Sequence, residues 1–280
     1  MNQMLDPRLL RAFVAVVDDA GFTRAAERLN MTQSTISQQV ARLEEQLGQS
    51  LIDREARPLR MTMAGERLAG YARRILALQE EVEMALHDPS GSVAIRIGMA
   101  EDILNIEMAR LFASFARENR QLRLDVSTGL SRALTARYRG GEFDILVVKE
   151  TMPDSDARAS FPEPVAWFEA KGASEWPDPL PFVTFPQGGL YRDQMFARAE
   201  AEGRRWYVAF SGNSLQNVIT AVEAGLGVTL LPACTAAGRA VTPSGLFGAE
   251  AAMVVSLYAW EMRGPAAPLV QAMRKVLEQR

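Results

Sequence analysis

The hydrophobic period of this chain changes near residue 90, and that change bounds what it can fold into. Before it, apolar residues recur every three or four positions, as they do in helices with one inward face. Leu9, Leu10, Phe13, Val14 and Val17 mark one run over about Pro7 to Asp18, with Pro7 suited to a first turn. Ala25, Ala26 and Leu29 mark a second, with Thr23 as its expected cap, and Ile36, Val40, Leu43 and Leu47 a third, spaced 4, 3 and 4. From Val93 onward the pattern alternates instead. "VAIRIGMA" reads as a strand, "NIEMARLFASFAREN" as a helix, "LRLDVST" as a strand, "SRALTARYRGG" as a helix and "FDILVV" as a strand. Such alternation builds a mainly parallel sheet with right-handed crossovers. The chain is therefore α/β overall, with an all-α N-terminal region ahead of an α/β remainder. Its 280 residues leave room for two or three cores.

The third helix has an unusual opening. Thr32 is a good N-cap, and the outward face that follows carries Gln33, Ser34, Ser37, Gln38 and Arg42. Short uncharged hydrogen-bonding side chains are only middling helix formers, whereas a merely soluble helix end draws on Glu and Lys. Two short helices joined by the tight turn at Asn30 and Met31, the second polar at its outward N-terminal end, describe a helix-turn-helix. In that motif the start of the second helix meets base edges in the major groove, where Gln pairs with adenine and Ser or Thr contacts several bases.

Charge points the same way. The net charge is −3, but residues 1–75 hold 11 Arg and no Lys against 9 acidic residues, a balance of +2. Residues 54–74 hold six Arg against Glu55 and Glu66. An N-terminal segment of this kind faces phosphates or is simply a solvated helix face, and charge alone does not choose.

Other classes are disfavoured. One cysteine, Cys234, cannot form an intramolecular disulfide, and one histidine, His87, leaves no His-based metal cluster and no Ser-His-Asp or Cys-His pair. The reading is of a protein that is not an enzyme and needs no cofactor or metal. No apolar run approaches the roughly 20 residues that span a bilayer. Asp6 and Arg8 precede a short amphipathic stretch without a small-residue cleavage site, which argues against a signal peptide and for the cytoplasm.

Residues 22–68, "FTRAAERLNMTQSTISQQVARLEEQLGQSLIDREARPLRMTMAGERL", resemble the signature of LysR-type transcriptional regulators. The elements present are Ala25, Ala26, Leu29, Gln33, Ser37, Val40, Leu43, Glu44, Leu47, Gly48, Leu51, Arg54, Arg57, Thr62, Ala64 and Gly65. Ile52 stands where Phe is usual and Met61 where Leu is usual, both still apolar. The resemblance implies a winged helix-turn-helix over 1–62 in which Gln33, Ser34, Ser37 and Gln38 read base edges. Thr32, Thr35 and Arg42 then flank the DNA backbone, and Arg54 and Arg57, on the wing "LIDREARPLRMTMAG", sit near phosphates. A Pro-containing ribbon studded with Arg suits positioning rather than reading.

Thr62 can cap a long helix from about Met63 to Leu86, whose Leu68, Tyr71, Ile75, Leu78, Val82 and Ala85 alternate by 3 and 4. That spacing is a coiled-coil seam, or else the face of a helix packed on its own domain. In the family this element, 63–90, is the linker helix that dimerises the heads. "HDPSGS", 87–92, then reads as a hinge-like break with His87 an exposed helix-end residue.

After a Pro-rich stretch from Met152 to Pro164, a second alternating series runs to a last helix of about Pro268 to Gln279. Residues 91–280 resemble the LysR effector domain, two α/β lobes like those of periplasmic binding proteins. "EFDILVV" and "SLQNVITAVEAGLGVTLLP" carry the likeness. The resemblance implies lobe I at about 91–161 and 263–280 and lobe II at about 162–262, with a small-molecule effector between them. Ligands of such sheets bind beyond the strands' carboxyl ends. Candidate contacts are Ala100, Glu101, Asp102, Thr128, Ser131, Lys149, Phe185, Gln187, Ser211 and Asn213. Where many relatives place Ser or Thr after the first strand, this chain has Glu101 and Asp102. These either repel an anionic effector or merely cap a helix. Cys234 reads as a buried or incidental thiol rather than a peroxide sensor.

The expected function is a sequence-specific, effector-modulated transcription regulator. Its partners are double-stranded DNA on an inverted repeat, itself as a homodimer and homotetramer, and RNA polymerase if it activates. The alternative is a cytoplasmic small-molecule binding protein or enzyme with an appended basic helical region. It is weaker because the recognition face, Arg-bearing wing and seam occur together and in order.

Overall fold

The computed structural model describes residues 5–87, 93–173, 175–260, 264 and 266–280, with the side chains of 80, 81 and 84–87 outside that description. The expected break at 88–92 and the His87 side chain therefore lie outside the described residues. The chain packs as two compact units, one of 1–94, 120–123 and 136–143, the other of 95–119, 124–135 and 144–280. Among the described residues no helix is long and apolar enough to cross a membrane.

The first unit opens with α1, Pro7–Asp18, where the Asp6 carboxylate accepts the Arg8 N–H ahead of Pro7 in the first turn. Helix α2 is Phe22–Arg28. Its N-cap is Gly21, which makes no side-chain cap, so the expected cap Thr23 lies inside the first turn instead. The turn that follows places Asn30 at φ 53°, a left-handed conformation that Asn tolerates better than most residues. Helix α3, Gln33–Leu47, begins at Thr32 and ends on Gly48 at φ 65°, a position that favours glycine. A two-stranded antiparallel wing follows, β1 (Ile52–Asp53) against β2 (Arg60–Met61), so the head is helical but for this ribbon.

Helix α4, Met63–His87, starts on Thr62, whose hydroxyl donates to Ser50 O at 2.6 Å and accepts the Gly65 N–H at 3.1 Å. A Cβ at Gly65 would stand 2.0 Å from the Leu51 carbonyl oxygen, so only glycine lets α4 lie this close to the wing backbone. Leu10, Phe13, Ile36, Val40 and Leu43 form the head's core with Ala69, Ala72 and Leu76 of α4. Each large buried side chain there contributes about 1.5–3 kcal/mol. The first half of α4 thus belongs by packing to the head, and the expected division at residue 62 separates elements that share one core.

The remaining elements begin with β3 (Val93–Ala100), a 3₁₀ turn at Glu101–Ile103, α5 (Ile106–Glu118), β4 (Leu122–Gly129), α6 (Ser131–Arg139), β5 (Ile145–Glu150) and β6 (Ala159–Glu163). Then come β7 (Val165–Ala170), β8 (Leu180–Thr184), α7 (Leu190–Ala201), β9 (Trp206–Ser211), α8 (Leu215–Glu223) and β10 (Thr229–Pro232). Following them are a second 3₁₀ turn at Ala233–Ala236, β11 (Val241–Pro243), β12 (Met253–Ala259) and α9 (Ala267–Glu278).

The larger sheet has the order β4-β3-β5-β12-β6. β3 and β5 are parallel, as the alternating pattern predicts, but β12 runs antiparallel to both β5 and β6. It returns the chain from the second lobe and so enters this sheet from the opposite end. The second lobe is likewise mixed. β8 and β9 are parallel, whereas β7 pairs antiparallel with β10 and β11. The Pro-rich stretch from Met152 to Pro164 contains β6. Pro162 is accommodated because β6 is an edge strand, where a missing N–H leaves no ladder bond unmade. The chain leaves the first sheet after Glu163 and rejoins it at Met253, so the second lobe spans about 164–252 rather than 162–262. Its core is aromatic, with Trp167 on Phe247 at 4.2 Å and Phe196 stacked on Trp206 at 4.0 Å between ring centroids.

Candidate nucleic-acid interface and effector cleft

In α3 the 4-3 spacing buries Ile36, Val40 and Leu43 and turns the other face outward. Gln33, Ser34 and Gln38 are exposed and Ser37 half-buried. Thr32, which the sequence assigns to the DNA backbone, is occupied in starting the helix. Its hydroxyl oxygen accepts the Thr35 N–H at 3.2 Å and lies 2.9 Å from the Ser34 hydroxyl and 2.8 Å from that of Thr35. Arg42 is exposed on the same helix.

The wing is fastened to α3 by Glu44, to which the sequence reading gave no role. One carboxylate oxygen accepts the Leu51 N–H at 2.8 Å and the Ile52 N–H at 3.2 Å; the other accepts from the Arg54 guanidinium at 2.9 Å. Arg54 also lies over the Phe22 ring at 5.7 Å. It is exposed, as Arg57 and Arg60 are, but its guanidinium is engaged by Glu44. The loop between the strands is shaped by Asp53, whose carboxylate accepts the Glu55 and Ala56 N–H groups at 3.0 and 3.2 Å. Along α4, Tyr71, Ile75, Leu78 and Val82 form an exposed apolar stripe, and Leu68 packs partly on the head's core.

In the second unit the ends of β3, β4, β5, β8 and β9 converge on a cavity of ≈ 40 Å³. Space for a water-sized probe on that scale holds a few waters. Of the residues singled out in the sequence, Ala100, Glu101, Asp102, Ser131, Lys149, Phe185 and Asn213 line it. Thr128, Gln187 and Ser211 do not; all three are exposed. Successive strand residues point to opposite faces, so Thr128 cannot share a face with Gly129, which follows it in β4 and lines the cavity. The cavity is completed by Gly129, Leu130, Gly189, Leu190 and Tyr191. A Cβ on Gly189 would stand 2.7 Å from the Phe185 Cβ, which explains glycine at the start of α7.

The cavity's floor is ionic. The Lys149 ammonium, 3% exposed, donates to Asp102 and, at 3.1 Å, to Glu163. Arg280 donates to the same Glu163 oxygen at 3.2 Å and to the Asp102 carbonyl at 3.1 Å. Buried charges are tolerable because each has a partner of opposite sign. The Ser131 hydroxyl accepts the Lys149 backbone N–H at 3.0 Å. Glu101, which also lines the cavity, is not part of this ionic floor: its carboxylate accepts the Leu215 N–H, the first amide of α8, at 2.8 Å. Tyr191 sets its ring 5.6 Å from the Lys149 ammonium. Burial, then the Asp102 and Glu163 carboxylates, hold its phenol well above the usual range. Among the described residues its hydroxyl is buried without a hydrogen-bond partner. Only an aromatic in the first turn of a helix hinted at Tyr191 in the sequence. Cys234 is exposed rather than buried, its sulfur 3.9 Å from Glu163 Oε1.

Residues 7–66 match the family described as bacterial regulatory helix-turn-helix protein, lysR family, and residues 90–280 match the LysR substrate binding domain. The chain is similar to the HTH-type transcriptional regulator PecT of Dickeya dadantii, with 28% identity over 81% of this chain and 72% of that one. It is also similar to the HTH-type transcriptional activator IlvY of Salmonella typhimurium, with 26% identity over 81% of this chain and 82% of that one. Among solved structures, full-length LysG of Corynebacterium glutamicum aligns at TM-score 0.62 with 20% identity, covering 98% of this chain and 99% of that one. ArgP of Mycobacterium tuberculosis aligns at 0.60 with 23% identity, covering 98% of each chain.

Proposed function

This chain belongs to the LysR family of DNA-binding transcription regulators that carry an effector-binding domain, and we propose how its own residues divide that work. Residues 1–62 form the head, α4 pairs two heads, and the part from 91 onward binds a small effector. Gln33, Ser34, Ser37 and Gln38 read base edges in each half of an inverted repeat, while Thr35, Arg42, Arg57 and Arg60 position the backbone. Tyr71, Ile75, Leu78 and Val82 meet the same stripe of a second copy, because a row of apolar side chains left in water gains most by self-pairing. Two dimers then form a tetramer, and RNA polymerase is a partner where the regulator activates. The protein acts in the cytoplasm, without catalysis. The cavity at the strand ends takes the effector; the similar LysG was solved with its effector Arg bound.

The observation that carries the reading is the outward polar face at the start of α3 above a buried Ile36, Val40 and Leu43. It predicts residues dispensable for folding and decisive for sequence choice. The test is Gln38→Ala in the full-length protein, on a duplex selected from genomic DNA and on a scrambled duplex at the same salt. Discrimination at one base pair per half-site should fall by about 1–3 kcal/mol while stability stays within about 0.5 kcal/mol. Equal losses on both duplexes would demote Gln38 to a backbone contact.

A further inference from the structure

Two features of the cleft favour an anion, and the chain occupies both. The first is the start of α8, where free amides and the helix dipole attract negative charge. There Ser214 Oγ accepts the Asn217 N–H at 3.1 Å, and Glu101 Oε2 accepts the Leu215 N–H at 2.8 Å. The second is the Lys149 ammonium, held by Asp102 and Glu163. The charged residues lining the cavity are Glu101, Asp102 and Lys149, a net −1, and the adjoining Glu163 and Arg280 cancel each other. An incoming carboxylate meets like charge at a site sheltered from water.

One group remains with hydrogen-bonding capacity to spend. Among the described residues the Tyr191 hydroxyl is buried without a partner, in a residue 7% exposed that lines the same cavity beside Leu130, Phe185 and Leu190. A buried hydroxyl left unpaired costs free energy that a ligand's polar atom recovers.

We propose that Glu101 is the specificity-determining residue of this cleft: its carboxylate stands where an anionic effector's would, so the cleft rejects simple carboxylates and accepts a small uncharged ligand that bonds the Tyr191 hydroxyl. The proposal rests on the cleft being the effector site. It makes the cleft self-ligated, with the closing contact between the first sheet and α8 supplied by the chain rather than by the effector.

Acetate and acetamide, equal in shape and unequal in charge, test it on the full-length protein. Thermal unfolding is followed against sodium acetate, with sodium chloride at matched ionic strength as the control, and against acetamide. The wild type should show a saturable upward shift with acetamide and none beyond the salt control with acetate. Glu101→Ala should gain the acetate response, at least about tenfold tighter than the wild type, because like charge is removed and the α8 amide is opened. Glu101→Gln keeps an acceptor for Leu215 and should respond to acetate far less than Glu101→Ala. Tyr191→Phe removes a hydroxyl without a hydrogen-bond partner among the described residues, so it should fold normally and lose the acetamide response. Acetate binding by the wild type as tight as by Glu101→Ala overturns the proposal, and so does a folded Glu101→Ala that ignores acetate. If Glu101→Ala does not fold, a wild type preferring acetate to acetamide, or a Tyr191→Phe that keeps the acetamide response, does the same. Operator affinity is read in parallel. Should acetate bind Glu101→Ala yet leave operator affinity unmoved, the specificity assignment stands and the effector role of the cleft falls.

Discussion

Glu44 offers the sharpest energetic test, because its carboxylate serves three donors at once. Leu51 and Ile52 are 1% and 3% exposed, so Glu44→Ala strands two backbone amides in the head's interior. A stranded buried donor costs about 1–3 kcal/mol. The Glu44 side chain is 15% exposed, so water reaches part of the site and the lower half of that range applies, about 2–4 kcal/mol for the pair. The ion pair with Arg54, 46% exposed, adds at most about 0.5–1 kcal/mol. Glu44→Gln retains a carbonyl oxygen for the amides and loses the charge, so it should cost about 1 kcal/mol or less. The four tryptophans, Trp167, Trp176, Trp206 and Trp260, all lie outside the head, so fluorescence cannot see this change and instead provides an internal control. Hydrogen exchange by mass spectrometry on full-length protein reads it directly, in peptides covering residues 49–53. There Glu44→Ala should lower the opening free energy by about 2 kcal/mol, roughly thirtyfold faster exchange, while tryptophan-detected denaturation is unmoved. Equal effects of Ala and Gln, or an Ala effect below about 0.5 kcal/mol, would refute the bracing role.

Arg57→Ala should weaken binding to all duplexes alike and lower the slope of log affinity against log salt by about 0.9, as expected for one lost phosphate contact. An unchanged slope would remove Arg57 from the interface. Leu78→Asp puts a charge into an exposed apolar stripe at a position 57% exposed, so it should leave the folded head intact, shift sedimentation toward the monomer, and weaken inverted-repeat binding more than half-site binding. If sedimentation and the ratio of the two affinities were both unchanged, the stripe would not be a dimer seam.

The head was legible because its determinants are local. The 4-3-4 spacing of Ile36, Val40, Leu43 and Leu47 says which face of α3 is buried, and Gly48 says where the helix stops, without reference to the rest of the chain. Arg54 shows the limit. Its type and place in the wing suggested a phosphate contact, but what holds it is Glu44, ten residues earlier and on another element. The cleft divides similarly. Charged and polar residues after β3 and β5 could be named from the strand ends, whereas the pairing of Lys149 with Asp102 and Glu163 depends on how three strands register. Thr128 was misplaced by one step of strand pleat, which sequence periodicity resolves only when the alternation is clean. β6 was hidden by Pro162, which signals a break everywhere except at a sheet edge.

The bare Gly65 contact, the burial of Ala69, Ala72 and Leu76, and the ion pair of Arg73 with Asp18 make the first half of α4 continuous with the head. A helix of 25 residues is about 37 Å long. The outward polar face of α3 is thus mounted on a stiff arm whose near end is clamped against the wing backbone. A tilt of about 5° at the clamped end carries the far end through roughly 3 Å, close to the rise of one DNA base pair, on an arm of this length. In the proposed pairing of two heads through α4, the spacing they span on a duplex is set by where their arms cross, and adjustment to a longer or shorter operator falls to the segment beyond Leu76.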